Sequence, residues 1–303
     1  MRLVTFQVGN RPASPGALVD DGRTVVQLPA PSVLAIVEGG QDALDRAAET
    51  LARPPREAVF PLKDVTLLAP IPQPPQMRDF LCFEKHLQQA FAAVARLRGT
   101  EARIPKIWYE RPIFYHPNRF NVCGTGADVP WPRYSERMDF ELEFGCYIGR
   151  PGKDIPRERA REHIFGYTVF NDFSARDEQT LEMMGQLGPG KGKDFDNSNV
   201  MGPCLVTADE LADPYGLEMK VRVNAEEWGR GNSRDMHWKF EDCIAHASRS
   251  ETLHSGEFFG SGTVGNGCGL ESLRFLKPGD TVELEVEGIG VLRNRVVKPG
   301  MQT

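Results

Sequence analysis

Three carboxylates alternate with apolar residues near the middle of the chain. The segment Met138–Gly145 reads MDFELEFG, so a β-strand would place Asp139, Glu141 and Glu143 on one face and apolar side chains on the other. Carboxylates two residues apart on a strand lie about 7 Å apart, and oxygen-rich clusters suit a hard cation such as Mg²⁺ or Ca²⁺. One interpretation is therefore a metal site. The other is the solvent-facing side of an amphipathic strand.

A second acidic row near the C-terminus provides a comparison. Glu283, Glu285 and Glu287 alternate in the same way. A Gly-Ile-Gly turn follows at 288–290 and leads into Arg293 and Arg295, so a hairpin would set arginines opposite the glutamates. Surface ion pairs explain this second row. Spacing alone leaves both interpretations of the first row open.

Polar residues also gather where an apolar segment ends, at 169–179 (VFNDFSARDEQ). The ends of strands and the loops after them often carry function, and Asp172 could complete an oxygen cage there. The alternative is helix capping, with Asp172 or Ser174 as the N-cap of a helix that begins near Ala175.

Two glycine-rich segments could bring the backbone close to a ligand. The first, Gly185–Lys193 (GQLGPGKGK), has Gly192 where a phosphate-binding loop needs Ser or Thr, which excludes that motif. It can still carry Lys191 or Lys193 into a site. The second has five glycines in the twelve residues that end at Glu271, and it could equally be a plain irregular loop.

The sequence lacks the histidine and serine motifs of several kinds of enzyme. None of the six histidines forms an H-E-x-x-H pair, and no G-x-S-x-G segment is present. His86 is distinguished only by Asp79 and Glu84 just before it. The six cysteines are spread singly, without a C-x-x-C pair, which predicts reduced packing residues.

The elements that position these residues are mainly short strands. Residues 2–8, 17–19 and 24–26 predict strands, with Asp-Asp-Gly at 20–22 as a hairpin turn, and a helical stretch follows over about 32–51. Four prolines among residues 68–75 predict a domain boundary. We therefore expect a small N-terminal domain at 1–68 and a β-rich domain at 69–303. In the larger domain, residues 83–98 are the longest helical segment, because apolar residues recur there at helical spacing.

Composition limits the possible partners and location. The 303 residues include 36 Lys and Arg against 42 Asp and Glu, a net charge of −6, and no long basic run is present to neutralise phosphates, so nucleic acid is not expected as a partner. No stretch approaches 18 apolar residues, and the first ten residues do not resemble a signal peptide. These features predict no membrane association and a cytoplasmic protein.

Taken together, five motifs in order resemble the fumarylacetoacetate hydrolase family, over about 77–297. They are Asp79-Phe80-x5-His86, Glu141-Leu142-Glu143, Asn171-Asp172-Phe173-Ser174-Ala175-Arg176-Asp177-x-Gln179, Gly192-Lys193-Asp194-Phe195, and Ser261-Gly262-Thr263 followed by Leu270-Glu271. The resemblance implies a mainly β fold with some α: a mixed β-sandwich or roll in the C-terminal domain, after a small α+β N-terminal domain. It also implies a homodimer, to which the Phe258-Phe259 region could contribute.

The resemblance also assigns roles to these residues. It makes Asp79, Glu141, Glu143 and Asp172 the ligands of a divalent cation, Mg²⁺ or Ca²⁺, with Mn²⁺ also possible. His86 becomes the general base and Glu271 the carboxylate that orients it. Lys193, Arg176 and Gln179 would donate to substrate oxygens, and Tyr115 and Thr263 would also contact the substrate.

The implied activity is hydrolysis of a C–C bond in a small anionic diketo or 2-oxo acid, by water that His86 activates. The alternatives at the same site are a decarboxylase, an isomerase or a hydratase or lyase, each acting through an enolate, and, from another class, a non-catalytic binding protein. Leu81 stands where the fumarylacetoacetate-cleaving enzymes have tyrosine, and Asn197 stands where they have threonine. These departures argue against fumarylacetoacetate itself as the substrate.

Overall fold

A computed structural model describes residues 1–99 and 101–298 of the chain, so residues 299–303 of the second predicted domain lie outside the described residues. Most of the regular structure is β, as predicted. In chain order the strands are β1 (Arg2–Gln7), β2 (Ser14–Val19), β3 (Thr24–Gln27), β4 (Val59–Pro61), β5 (Thr66–Leu67), β6 (Met77–Phe80), β7 (Phe114–Tyr115), β8 (Val122–Cys123), β9 (Asp128–Pro130), β10 (Met138–Asp139), β11 (Leu142–Ile148), β12 (Gly152–Lys153), β13 (Ile164–Asp172), β14 (Ser174–Ala175), β15 (Asn199–Thr207), β16 (Glu218–Val223), β17 (Glu226–Asn232), β18 (Thr252–Leu253), β19 (Phe258–Gly260), β20 (Thr281–Val286) and β21 (Gly290–Val297).

The α-helices are short and lie between the strands. They are α1 (Val33–Glu38), α2 (Gly40–Ala52), α3 (Glu84–Arg98), α4 (Ile107–Glu110), α5 (Arg176–Glu182), α6 (Phe240–Ala247) and α7 (Gly269–Ser272). In the described residues, no helix is both long and apolar enough to cross a membrane.

One large sheet contains strands from both sides of the predicted domain boundary. Its main path runs β4-β3-β2-β1-β15-β13-β11-β19-β6-β7. Strand β1 pairs antiparallel with β15, in the register Leu3↔Leu205, so the N-terminal strands extend the sheet that carries the central strands. The division at residue 68 stays a prediction.

A second sheet covers one face of the first. It has the order β17-β16-β20-β21-β9, and its apolar side chains share a buried core with those of the large sheet. That core includes Cys204 and Val206 of β15 with Val221 of β16 and Leu284 of β20. The mixed, layered β architecture predicted for the larger domain is therefore confirmed. Phe258 and Phe259 are both fully buried in this fold. The prediction that these two side chains contribute to a dimer interface is therefore wrong.

Local sequence signals explain most element boundaries. The predicted hairpin turn has positive φ at Asp20 (52°), Asp21 (54°) and Gly22 (78°). The predicted helix over 32–51 is instead two helices, because Gly40 has a φ of 55°, which a right-handed helix does not allow.

Two glutamates of the C-terminal acidic row, Glu283 and Glu285, form ion pairs, and Glu283 does so across the hairpin as predicted. Glu283 lies opposite Arg293 in the hairpin and pairs with it at 3.3 Å. However, Arg222 of β16 is the arginine that contacts both Glu283 (3.1 Å) and Glu285 (2.7 Å), while Arg295 pairs with Asp128. Surface ion pairs thus explain Glu283 and Glu285 of this row.

Candidate active site

Four carboxylates meet at one end of the central strands. Asp79 lies on β6 and Glu143 on β11, Asp172 is the last residue of β13, and Glu141 immediately precedes β11. Strand β11 pairs with β13 and β19, and β19 also pairs with β6, so the four side chains converge. One ligand oxygen from each lies within 4.8 Å of the others. We call these four residues the carboxylate cage.

Burial decides between the alternatives that the sequence left open. Glu143 is fully buried and Glu141 is 6% exposed, so the alternating row is not the solvent-facing side of a strand. The capping alternative for residues 172–175 is also wrong, because Ala175 is the N-cap of α5 and no side chain caps that helix. Asp172 lies in the cage instead.

The buried carboxylates of the cage have pKa values shifted in opposite directions. Burial, together with the neighbouring acids, raises the pKa of Asp79 and of Glu143 well above the usual range. Burial also opposes ionisation of Glu141, but Lys193 and Arg176 outweigh it and lower the pKa of Glu141 to about 2. The cage is therefore short of positive charge on the side of Asp79 and Glu143.

The cage residues fit a divalent cation. Glu143 Oε2 and Asp172 Oδ1 are buried and have no hydrogen-bond partner among the described residues, although buried polar atoms are normally paired. Carboxylate oxygens are the ligands that Mg²⁺ and Ca²⁺ prefer. A cation held by the four carboxylates would supply partners for both atoms and neutralise charge that Lys193 and Arg176 leave uncompensated.

Two buried cations adjoin the cage. Lys193 Nζ lies 2.6 Å from Glu141 Oε2 and 2.7 Å from Asp172 Oδ2. Arg176 Nη2 lies 2.8 Å from Glu141 Oε1, in an ion pair without hydrogen-bond geometry, while its Nη1 donates to Gln179 Oε1 at 2.9 Å. The predicted donors Lys193, Arg176 and Gln179 are thus brought together beside the cage.

His86 and Glu271 form a pair next to the cage. His86 lies in the first turn of α3, and its Nδ1 is 2.8 Å from Glu271 Oε1. Because a carboxylate accepts, Nδ1 carries the proton, and in the neutral form of the imidazole it is Nε2 that has the lone pair. Both residues are largely buried, with side-chain exposures of 7% and 3%.

Asp139 has a role that the sequence did not reveal. It is fully buried, and its carboxylate accepts hydrogen bonds from Arg176 Nε (2.7 Å) and from the backbone N–H groups of Gly269 (2.8 Å) and Leu270 (2.9 Å). It therefore joins the arginine beside the cage to the start of α7, which carries Glu271. Its place in the acidic row was the only signal in the sequence.

Glycine allows close backbone approach at two of these junctions. A Cβ on Gly192 would lie 2.3 Å from Gln179 Cα, and one on Gly269 would lie 2.0 Å from the Arg274 carbonyl oxygen. These glycines immediately precede Lys193 and Leu270. The two glycine-rich segments thus bring Lys193 and Glu271 to the site by tight packing.

The predicted substrate contacts lie in different places. A cavity of about 900 Å³ opens onto the cage, and Tyr115, His86, Gln179 and Lys193 line it. The hydroxyl of Tyr115 donates to Asp172 Oδ2 at 2.7 Å. Thr263 is 2% exposed, its hydroxyl donates to Glu143 Oε1 at 3.4 Å, and it is not among the described residues that line the cavity. The structure therefore places Thr263 behind the cage.

This fold and site define a class of enzyme in which an acidic cage fit for a divalent cation adjoins an oriented histidine. The family model described as fumarylacetoacetate (FAA) hydrolase C-terminal matches residues 76–297. The chain belongs to the fumarylacetoacetate hydrolase family.

One curated relative and one solved structure match nearly the whole chain, and a second relative matches about three quarters of it. The mitochondrial oxaloacetate tautomerase fahd2 of Xenopus laevis is 33% identical over 98% of this chain and 90% of its own. The oxaloacetate tautomerase YisK of Bacillus subtilis is 32% identical over 78% of this chain and 75% of its own. The structure of a probable 2-hydroxyhepta-2,4-diene-1,7-dioate isomerase from Mycobacterium abscessus is 27% identical, with a TM-score of 0.75, over 99% of this chain and 100% of that chain. These names describe tautomerases and an isomerase, not enzymes that hydrolyse C–C bonds.

Proposed function

We propose that this enzyme interconverts the keto and enol forms of a small 2-oxo acid, with His86 as the group that moves the proton. The observation that carries the proposal is the His86–Glu271 pair at 2.8 Å, because His86 lines the same cavity as the carboxylate cage. The relatives named as tautomerases support proton transfer in preference to the hydrolysis that we expected from the sequence.

The residues match the needs of this reaction. Removing a proton from the carbon beside a ketone needs a base near neutral pH, which the unprotonated Nε2 of His86 can provide while Glu271 holds the ring. A divalent cation in the cage would supply a Lewis acid that polarises the ketone and stabilises charge on its oxygen. Lys193 and Arg176 lie where negative charge grows, and fixed donors of this kind each contribute up to ~3 kcal/mol.

Hydrolysis of a C–C bond is the second candidate. The same imidazole can deprotonate a water molecule, and a cavity of about 900 Å³ has room for water beside a small acid. The two activities differ in one product. Hydrolysis in H₂¹⁸O puts ¹⁸O into a new carboxylate, whereas tautomerisation releases no fragment.

The test follows the decay of the enol absorbance of oxaloacetate and of acylpyruvates in the presence of Mg²⁺. We expect acceleration by the native enzyme and its loss in His86→Ala, with Mg²⁺ affinity nearly unchanged by isothermal titration. His254→Ala is the matched control, because His254 is exposed and lies outside the described lining of the cavity. The proposal fails if no acid in the panel is tautomerised, and a fragment labelled with ¹⁸O would favour hydrolysis.

Three further properties belong to the same proposal. We expect Mg²⁺ or Ca²⁺ as the cation, with Mn²⁺ as a substitute, since all four ligands are carboxylates. We also expect a homodimer and a cytoplasmic location. The cation is tested by adding each one to metal-free protein and measuring the activity regained. The homodimer is tested by the mass of the protein in solution.

A further inference from the structure

The cavity has two chemically different ends. At one end are the cage, Lys193 and Arg176. At the other end, α3 presents an apolar stripe to the cavity, since its residues at helical spacing line the wall: Leu87, Ala90, Phe91 and Val94. Leu270 of α7 also lines this wall and packs with Ala90 in a small apolar cluster. We call this end the apolar arm.

The segment at 183–187 (MMGQL) also contributes to the cavity wall, where Gln186 lies between exposed apolar side chains. Met183 and Leu187 line the cavity there, yet they are 52% and 100% exposed. Phe91 and Val94 are only partly buried. Apolar surface therefore lies open on both sides of the arm, and an apolar occupant would remove it from water.

Positive charge is confined to the cage end. Among the described residues that line the cavity, the cationic side chains are Arg176 and Lys193, and both pair with Glu141. The histidines of the lining are His86, which pairs with Glu271, and His116, whose Nδ1 is 3.0 Å from the Met77 carbonyl oxygen. A carboxylate in the apolar arm would lack a cationic partner, and an unpaired charge in an apolar site is costly.

We propose that the apolar arm binds an uncharged hydrocarbon chain of the substrate, so that the substrate class is a 2-oxo acid with one carboxylate and an apolar tail. The head group at the cage rests on the proposed function, and the tail rests on the arm alone. The names of two matched proteins point to diacids, oxaloacetate and a 1,7-dioate. The arm selects against a second carboxylate at the far end of a chain of that length.

The test measures binding rather than turnover. N-alkyl oxamates share the carboxylate and adjacent carbonyl of a 2-oxo acid but do not react, and their affinity is measured by isothermal titration in Mg²⁺. Each methylene added from ethyl to hexyl should lower Kd about fourfold until the arm is filled. A carboxylate at the end of the same chain should remove this gain. Equal affinity along the series, or tighter binding of the carboxylate-ended compound, would overturn the proposal.

A charge placed in the arm should reverse the preference. Phe91→Lys should weaken the N-hexyl compound and tighten the carboxylate-ended one, and Val94→Lys provides the same test if the first variant does not fold. Leu97→Lys is the matched control, because Leu97 is on the same helix, is 50% exposed and lies outside the described lining. If Kd falls about fourfold per methylene but no enol is turned over, the apolar arm stands and the proposed function is rejected. If enol is turned over but Kd does not change with chain length, the proposed function stands and the apolar arm is rejected.

Discussion

Asp139→Asn tests whether one buried carboxylate holds the two halves of the site together. Its Oδ1 accepts from the backbone N–H groups of Phe140 and Gly269, and its Oδ2 accepts from Leu270 N–H and Arg176 Nε. An asparagine replaces one of these oxygens with an NH₂ group. In either orientation, two donors lose their acceptor and face another donor.

The expected cost follows from these contacts. A buried donor left without a partner costs about 1–3 kcal/mol, and removing one partner of a buried ion pair costs about 3–5 kcal/mol, so we expect a loss of about 3–5 kcal/mol in unfolding free energy. With an unfolding entropy of roughly 2.1 cal/mol/K per residue over 303 residues, this corresponds to a Tm lowered by about 5–8 °C. Because Arg176 and α7 lose a shared anchor, kcat should also fall by about 10–100-fold.

The assay combines thermal unfolding with enol turnover in Mg²⁺. Glu285→Gln is the matched control, since Glu285 is a surface partner of Arg222 and exposed pairs contribute ~1 kcal/mol or less. Its Tm should change by no more than about 2 °C. If Asp139→Asn also keeps its Tm within that range and its kcat within about twofold, the bridging role of Asp139 is wrong.

Three other predictions concern the cage and the glycine that supports it. Glu143→Gln should weaken Mg²⁺ binding by about 10-fold or more in isothermal titration. The metal-free Tm should stay equal or rise, because an amide cannot ionise among the buried acids; unchanged Mg²⁺ affinity would contradict the cage. Burial raises the pKa of Asp79 and Glu143 above their ordinary 3.8 and 4.5, so the folded metal-free protein holds protons that the unfolded chain has released. Its Tm in EDTA should therefore fall as pH rises from about 5 to 8, and Mg²⁺ should reduce this slope; a Tm that rises with pH in EDTA would count against it. Gly192→Ala should lower Tm and activity because its Cβ would lie 2.3 Å from Gln179 Cα, whereas Gly185→Ala, with no atom within 4 Å of its Cβ, should leave both unchanged.

The sequence predicted the composition of the site better than its local geometry. Alternation around Glu143 suggests an amphipathic strand, because one face of β11 packs in the core and the other faces a buried cage. Only the fold shows that the polar face is enclosed, because β13 pairs with β11 and brings Asp172 beside Glu143, and both side chains are fully buried. Such pairing joins residues far apart in the chain, which local patterns do not show.

Asp139 and Thr263 show the same limit in another way. The acidic row predicts that Asp139 shares a face with Glu141, but the chain leaves β10 after Asp139, and Glu141 bridges to Cys268 before β11 begins. Asp139 therefore points to α7 and Arg176. The motif that contains Thr263 identifies a residue near the cage, but whether its hydroxyl faces the substrate or a carboxylate depends on packing that only the fold reveals.

The central claim is that His86 moves a proton on an acid bound beside the cage. The most direct measurement is the exchange of deuterium from solvent into the carbon next to the ketone of a 2-oxo acid, followed by NMR in Mg²⁺. We predict exchange with the native enzyme, none above background with His86→Ala, and equal Mg²⁺ affinity for the two proteins. Exchange that persists in His86→Ala, or is absent from the native enzyme with every 2-oxo acid in the panel, would contradict the claim.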